Sequence, residues 1–280
     1  MFLITGGLGR VGDIIRSRIE ILRSASLFDN RMDTEQNVLD FNALYKVIDE
    51  ENITTIIHLA EAGRPQLDER IDRDIFNLNT KGTKNVIDLA KRKNISLIYT
   101  TDMNKTRGDY TRAKQLNEKR IMVQVKKGHL IALPVILPFT NTPNLVTTNH
   151  LFELFLQFAT ERDGEYILDR SADEMIYLAT DEMIADVFYE IVSQLDTLPS
   201  AEYENYHYIA ISAGNFVQMI EKHFPGTKIK LAEGAGVHNQ EKGVEKDVEK
   251  LEAYFKSLSF SAFHLDQAKP VADLEGHYIA

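Results

Sequence analysis

Apolar positions come in short runs separated by longer amphipathic stretches, and this alternation predicts most of the fold. Phe2, Leu3 and Ile4 form a run too short for a helix before a cluster of glycines, the pattern of a buried parallel strand. A helix-like stretch follows from Ile14 to about Arg23, and residues 24–30 (SASLFDN) read as a second strand ending in an acid. Residues 37–41 (NVLDF) read as a third strand, and residues 42–50 as a helix with Leu44, Val47 and Ile48 on one face. The β-branched run at 52–60 (NITTIIHLA) predicts a fourth buried strand, and residues 71–92 carry a helical pattern through Ile75, Leu78, Val86, Ile87 and Leu89. Residues 96–101 predict a fifth strand, 110–125 a helix and 130–137 a sixth strand. Such alternation implies an α/β fold, a doubly wound parallel sheet with ligands at the carboxyl ends of its strands.

Past Pro138 the pattern changes, with Pro143, several Asn and Thr, and an aromatic-rich helical stretch at 150–159. We therefore expect one domain over residues 1–140, to which 174–195 returns, and a smaller α+β domain over 141–280. Its predicted elements are strands at 175–178, 206–210 and 227–231 and helices at 181–192, 216–223 and 244–258. The AEGAG stretch in the polar segment 232–243 lacks a following Lys-Ser or Lys-Thr and reads as a connection, not a phosphate loop.

Composition narrows the partners. A chain of 280 residues can hold one large domain or two smaller ones. The formal net charge of -10 leaves no basic surplus for neutralising phosphates, so no nucleic-acid partner is expected. With no cysteine, disulfides, thiolate nucleophiles and cysteine-ligated metals are excluded together, which fits the cytosol. No leader pattern opens the chain and no apolar run reaches spanning length, so a cytoplasmic protein without a membrane partner is expected. The eight histidines are scattered without HExxH spacing, giving no metal site, and GxSxG is absent, which disfavours a serine hydrolase.

Candidate chemistry gathers at two places. Gly6, Gly7, Gly9 and Gly12 (TGGLGRVG) stand between a strand and a helix, where small residues and free N–H groups suit a pyrophosphate; a purely structural tight turn is the plainer alternative. Asp29, about 20 residues on, is placed to bond both ribose hydroxyls and to repel a 2′-phosphate, which favours NAD; Arg10 and Arg31 keep NADP open. The second place is YTRAK, which sets Tyr110 and Lys114 one helical turn apart. An ammonium beside a phenol lowers its pKa, so Tyr110 is expected to exchange a proton with an alcohol or sugar hydroxyl while hydride moves to or from nicotinamide. Thr101, at the preceding strand's end, is placed to bond the same oxygen. His58 reads as a packed histidine and not a catalyst.

With these motifs in order, the chain resembles the extended short-chain dehydrogenases/reductases, the family of nucleotide-sugar epimerases, dehydratases and reductases. TGGLGRVG matches TGGxGxxG, LFDN the strand-two acid, Asp40-Phe41 the acid-apolar pair near adenine, and IIHLA the IHLA stretch; NTKGT matches NVxGT, and IYTTD with YTRAK the catalytic region. More loosely, residues 173–187 match the RDFIHVDDVA segment and 206–212 the YNIGSG strand. The resemblance implies a Rossmann domain with a small C-terminal substrate domain, and a catalytic triad of Thr101, Tyr110 and Lys114. It also implies a cofactor site of Gly6, Gly9, Arg10, Val11, Gly12, Asp29, Asn30, Asp40, Phe41, Leu59, Ala60, Asn79 and Lys114. The expected partner is a sugar or nucleotide-sugar, and a homodimer through the 71–92 and 110–125 helices is the family's common assembly.

Several positions depart from the pattern. Only residues 102–109 separate Thr101 from Tyr110, where the family carries a longer covering loop. Asp173 stands where the family has an arginine, with Arg170 as the candidate replacement, Pro134 occupies a strand position where Arg is frequent, and Met103 replaces a dehydratase acid. The leading expectation is an NAD-dependent sugar epimerase, reductase or dehydrogenase. The alternative is a cofactor-binding sensor or scaffold with little catalysis.

Overall fold

Phe2–Thr5 forms β1, buried at every position and hydrogen-bonded on both edges to the parallel strands β2 (Ala25–Phe28) and β3 (Thr55–His58). A strand enclosed in this way offers no face to water, hence the unbroken apolar runs in FLIT and TIIH. β4 (Ser96–Asp102), β5 (Gly128–Leu133) and β9 (Ala201–Tyr203) continue the sheet in the order β2-β1-β3-β4-β5-β9, parallel throughout. The computed structural model describes residues 1–30, 32–61, 69–104, 109–137, 165–168, 170–203, 207–226, 228–231 and 244–260.

Among the described residues, five helices flank this sheet: α1 (Arg10–Leu22), α2 (Phe41–Glu50), α3 (Glu69–Lys93), α4 (Asp109–Gln124) and α5 (Asp181–Gln194). α2, α3 and α4 pack in one group and α1 against α5 in another. Between helices and strands lie Leu3, Phe28, Leu44, Ile56, Val86, Leu97, Tyr99 and Ile121. This is the Rossmann-type doubly wound architecture. Its strand order reverses between β1 and β3, and such a reversal opens a crevice at the carboxyl ends of the two strands.

Several elements differ from the sequence expectation. The expected third strand at 37–41 does not form; residues 37–40 turn, with Asn37 Oδ1 accepting from Leu39 N at 2.9 Å, and Asp40 becomes the N-cap of α2. A short acid directly before FNAL satisfies two first-turn N–H groups, an interaction a ladder could not offer it. The strand expected at 52–60 shrinks to β3 because Asn52 sits at φ 53°, ending α2 with Ile53 N on Ile48 O; Asn94, at φ 51°, ends α3 the same way with Ile95 N on Ala90 O. The strand expected at 130–137 stops at Leu133, since Pro134 has no N–H for the ladder.

At Pro134 the chain enters a second compact unit, which holds the described residues of Pro134–Thr180 and those from Tyr208 on; the first unit holds Met1–Leu133 and Asp181–His207. In the second unit β6 (Val135–Ile136) runs parallel and β10 (Ile209–Ser212) antiparallel to β8 (Met175–Ala179), and β7 (Glu165–Leu168) pairs with β11 (Lys228–Leu231). Among its described residues this smaller α+β unit also holds two helices, α6 (Ala213–His223) and α7 (Val248–Phe260). Of the stretch 174–195, α5 thus lies in the first unit and β8 in the second. The helix expected at 150–159, the segment 232–243 and Arg31 lie outside the described residues.

Candidate active site

The turn between β1 and α1 is shaped by backbone contacts. Gly6 adopts φ 71°, and a Cβ there would lie 2.6 Å from Ala60 N, so only glycine lets this turn close against the residues after β3. A Cβ on Gly12 would collide with the Gly7 carbonyl, so α1 starts in direct contact with the turn. Gly9 N donates to Gly6 O at 2.9 Å, and Gly9 is also the N-cap of α1, with no side chain to satisfy the first-turn N–H groups. An anion is the natural partner for such an end.

Side chains around the turn are partly committed elsewhere. Arg10 donates to Asp181 of α5 at 2.6 Å, each side chain a quarter exposed; burial raises the Asp181 pKa in spite of the guanidinium. Asp29 is only 3% exposed and accepts from Leu8 N at 2.9 Å, so one of its oxygens braces the glycine turn. Asp40 Oδ1 accepts from Asn42 N and Ala43 N, and the Phe41 ring packs on the core beneath the Arg92 guanidinium, 5.0 Å from the ring centre. Both residues border a hollow of about 850 Å³ that also involves Thr34, Asn37 and Lys46. Asn79 is buried in α3, where its carbonyl accepts from Asn117 of α4.

His58 links β1 to α3. Its Nδ1 lies 2.6 Å from Thr5 Oγ1 and its Nε2 3.0 Å from Thr83 Oγ1, and its ring stacks on Tyr99. Burial, helped by the Lys114 charge, lowers its pKa from 6.5 to about 3. The imidazole is therefore neutral, and its two hydroxyl partners tie the end of β3 to β1 and to α3.

At the carboxyl ends of β3 and β4, the structure brings Tyr110 and Lys114 together as α4 periodicity requires. Lys114 Nζ donates to Thr100 O at 2.7 Å, lies 3.4 Å from Thr100 Oγ1, and sits 4.7 Å from the Tyr99 ring centre and 5.7 Å from that of Tyr110. The hydroxyl that meets the ammonium is thus that of Thr100. Thr101 is also buried, one residue further along β4, where strand side chains alternate between faces.

Sequence reasoning missed Glu61. This carboxylate follows directly on Ala60, accepts from Tyr110 Oη at 2.6 Å through Oε2, and forms an ion pair with Lys114 through Oε1. Together with burial, the larger cause, it reverses the expected direction of the Tyr110 pKa. Burial first, then the charge and hydrogen bond of Glu61, with Asp102 and Tyr99 adding, hold the phenol well above its ordinary 10.0. The ammonium expected to lower it is instead paired with Glu61. The available signal was a charged residue at the end of a buried parallel strand, where ligands bind.

Arg170, the candidate replacement for the family's arginine, is buried in the second unit and donates to Glu174 at 2.7 Å. Among the described residues no cluster of acids and histidines could hold a metal ion, and no helix is long and apolar enough to cross a membrane.

A six-stranded parallel sheet with a glycine turn at its switch point, followed by a Tyr–Lys helix, defines a Rossmann-type protein. Residues 2–119 match the model of the NAD dependent epimerase/dehydratase family. The fold is similar to that of the Thermus thermophilus UDP-glucose 4-epimerase in complex with NAD, at 11% identity and a TM-score of 0.64, covering 96% of this chain and 99% of that one. It is also similar to dTDP-4-dehydrorhamnose reductase from Bacillus anthracis in complex with NADP, at 13% identity and a TM-score of 0.64, over 92% and 97% of the two chains. L-threonine dehydrogenase from Phytophthora infestans shares 16% identity with a TM-score of 0.62, over 91% and 99%. Likeness at this level of identity establishes the fold. No curated protein matches the chain in sequence.

Proposed function

We propose that the protein is a nicotinamide-dependent oxidoreductase or epimerase, acting at a hydroxyl-bearing carbon of a sugar or nucleotide-sugar with Tyr110 as the acid–base group. The observation that carries this reading is the placement of Tyr110 and Lys114 side by side at the carboxyl ends of β3 and β4. The match of residues 2–119 to the NAD dependent epimerase/dehydratase model and the names of the structural neighbours support the reaction class.

The residues around β1 fit a dinucleotide, since Gly6 permits close backbone approach and Gly9 leaves the first turn of α1 without a side-chain cap. In this reading Gly6, Gly9, Arg10, Val11 and Gly12 hold the pyrophosphate. Asp29 and Asn30 bind the adenosine ribose, which favours NAD over NADP, and Asp40 and Phe41 border the adenine. Leu59, Ala60, Asn79 and Lys114 face the nicotinamide side. Bound nicotinamide supplies hydride transfer; Tyr110 exchanges a proton with the substrate oxygen, Thr101 bonds that oxygen, and Lys114 supplies positive charge beside it. The second unit is the substrate domain, and a homodimer through α3 and α4 in the cytoplasm completes the picture.

Mass spectrometry of ligands released from the purified protein identifies the cofactor, and a panel of nucleotide-sugars and keto-sugars tests turnover. Tyr110→Phe is expected to lower turnover by about 10²–10⁴-fold with cofactor affinity nearly unchanged. Undiminished turnover overturns the role given to Tyr110. The second reading, a cofactor-binding sensor or scaffold, is favoured by one observation, the engagement of both Tyr110 and Lys114 by Glu61. It predicts cofactor retention with no turnover across the whole panel.

A further inference from the structure

Glu61 is the one carboxylate that bonds directly to both members of the Tyr–Lys pair among the described residues. It lies on the segment after β3 against which Gly6 packs, its side chain is 16% exposed, and that of Lys114 is 7% exposed. An acid so placed pairs with the ammonium and accepts a hydrogen bond from the phenol at once. We propose that Glu61 is a positioning residue of this site, holding Tyr110 in its proton-bearing form, so that the resting site presents a proton donor to a carbonyl oxygen and proton removal from a hydroxyl waits on higher pH.

The physical argument is a charge count. A Tyr–Lys pair alone carries one positive charge, and ionising the phenol neutralises it, which is favourable away from water. With Glu61 added, the trio is neutral while the phenol keeps its proton and acquires a net negative charge when it loses it. The other groups facing the trio do not reverse this. Asp102 and Tyr99 of β4 both disfavour the phenolate. His58 of β3 is uncharged, and Glu118 of α4 adds a further negative charge near Tyr99. In proton donation the Tyr110 O–H bond breaks as the substrate oxygen gains the proton. The resulting phenolate faces Glu61, so it is driven to recover a proton from solvent.

The inference rests on Tyr110 being the acid–base group proposed above, but its test does not need turnover. Tyrosinate absorbance is titrated in the full-length protein, and Tyr110 is isolated as the difference from Tyr110→Phe in each background. In the wild type the Tyr110 midpoint is expected above 10; a midpoint below 10 overturns the proposal. In Glu61→Gln, with Lys114 left as the nearest charge, the midpoint is expected to fall by about one to three pH units, and Glu61→Asp should restore part of the difference. Should Glu61→Gln not fold, the wild-type midpoint and the Glu61→Asp titration still decide the matter. An equal midpoint in wild type and Glu61→Gln means that Glu61 is only a structural ion pair, and the proposal fails. Where turnover is found, Glu61→Gln should move the rising limb of hydroxyl oxidation to lower pH by the same interval. A shifted midpoint in a protein that turns over no substrate would retire the proposed function and leave the role of Glu61 standing.

Discussion

The two ends of the crevice are built from different materials. At the β1–α1 turn the shape comes from backbone meeting backbone, Gly6 against Ala60 and Gly12 against the Gly7 carbonyl. At the β3–β4 end it comes from charged and hydroxylic side chains from separated segments, Glu61, Thr100, Tyr110 and Lys114. A backbone-built site tolerates changes in its surroundings because its donors are the chain itself. A side-chain site can keep every motif residue in place and still have its chemistry turned round by one neighbour, the part we propose for Glu61 beside Tyr110. Recognition of a phosphate loop therefore transfers between relatives more safely than recognition of an acid–base pair.

The largest test of this contrast lies between the two ends, at His58. Its folded pKa of about 3 lies below the unfolded value of 6.5, so in that window the unfolded chain binds the extra proton and stability falls as pH falls. A shift of this size amounts to as much as about 5 kcal/mol at the acid end. Urea unfolding followed across this window should show the loss, and His58→Asn should reduce the slope by close to one proton. Equal slopes in the two proteins would mean that another group controls the acid limb.

Next in size is the backbone end. Gly6→Ala places a side chain at φ 71° and against Ala60 N, which should lower stability by about 2–4 kcal/mol and abolish cofactor retention. Thermal unfolding and ligand mass spectrometry read the two effects, and a variant as stable as the wild type would show that the turn is not backbone-determined. The smallest effect is expected at Arg10→Met. Its pair with Asp181 is partly exposed, so the loss should stay below about 1 kcal/mol in chemical denaturation. A loss of twice that would make the tie between α1 and α5 a structural anchor.

Several elements were legible because their signal is local. FLIT before TGGLGRVG, TIIH and the periodic 71–92 stretch each carry enough apolar pattern to announce a buried strand or an amphipathic helix. Residues 37–41 misled because Val38 and Leu39 are apolar, while the capping of α2 by Asp40 depends on hydrogen bonds that a pattern of hydrophobicity does not register. β9 escaped notice for the opposite reason: Ala201–Tyr203 is three residues long, has no buried run, and exists as a strand through its pairing with β5.

By itself, the sequence determined the α/β alternation, the glycine turn and the helical spacing of Tyr110 and Lys114, since each depends on residues near one another in the chain. Only the tertiary structure decided that Thr100 meets the ammonium, that Asp29 braces the turn through Leu8, and that Glu61 stands between lysine and tyrosine. Charge interactions act through space, and the 49 positions separating Glu61 from Tyr110 hide a contact of 2.6 Å.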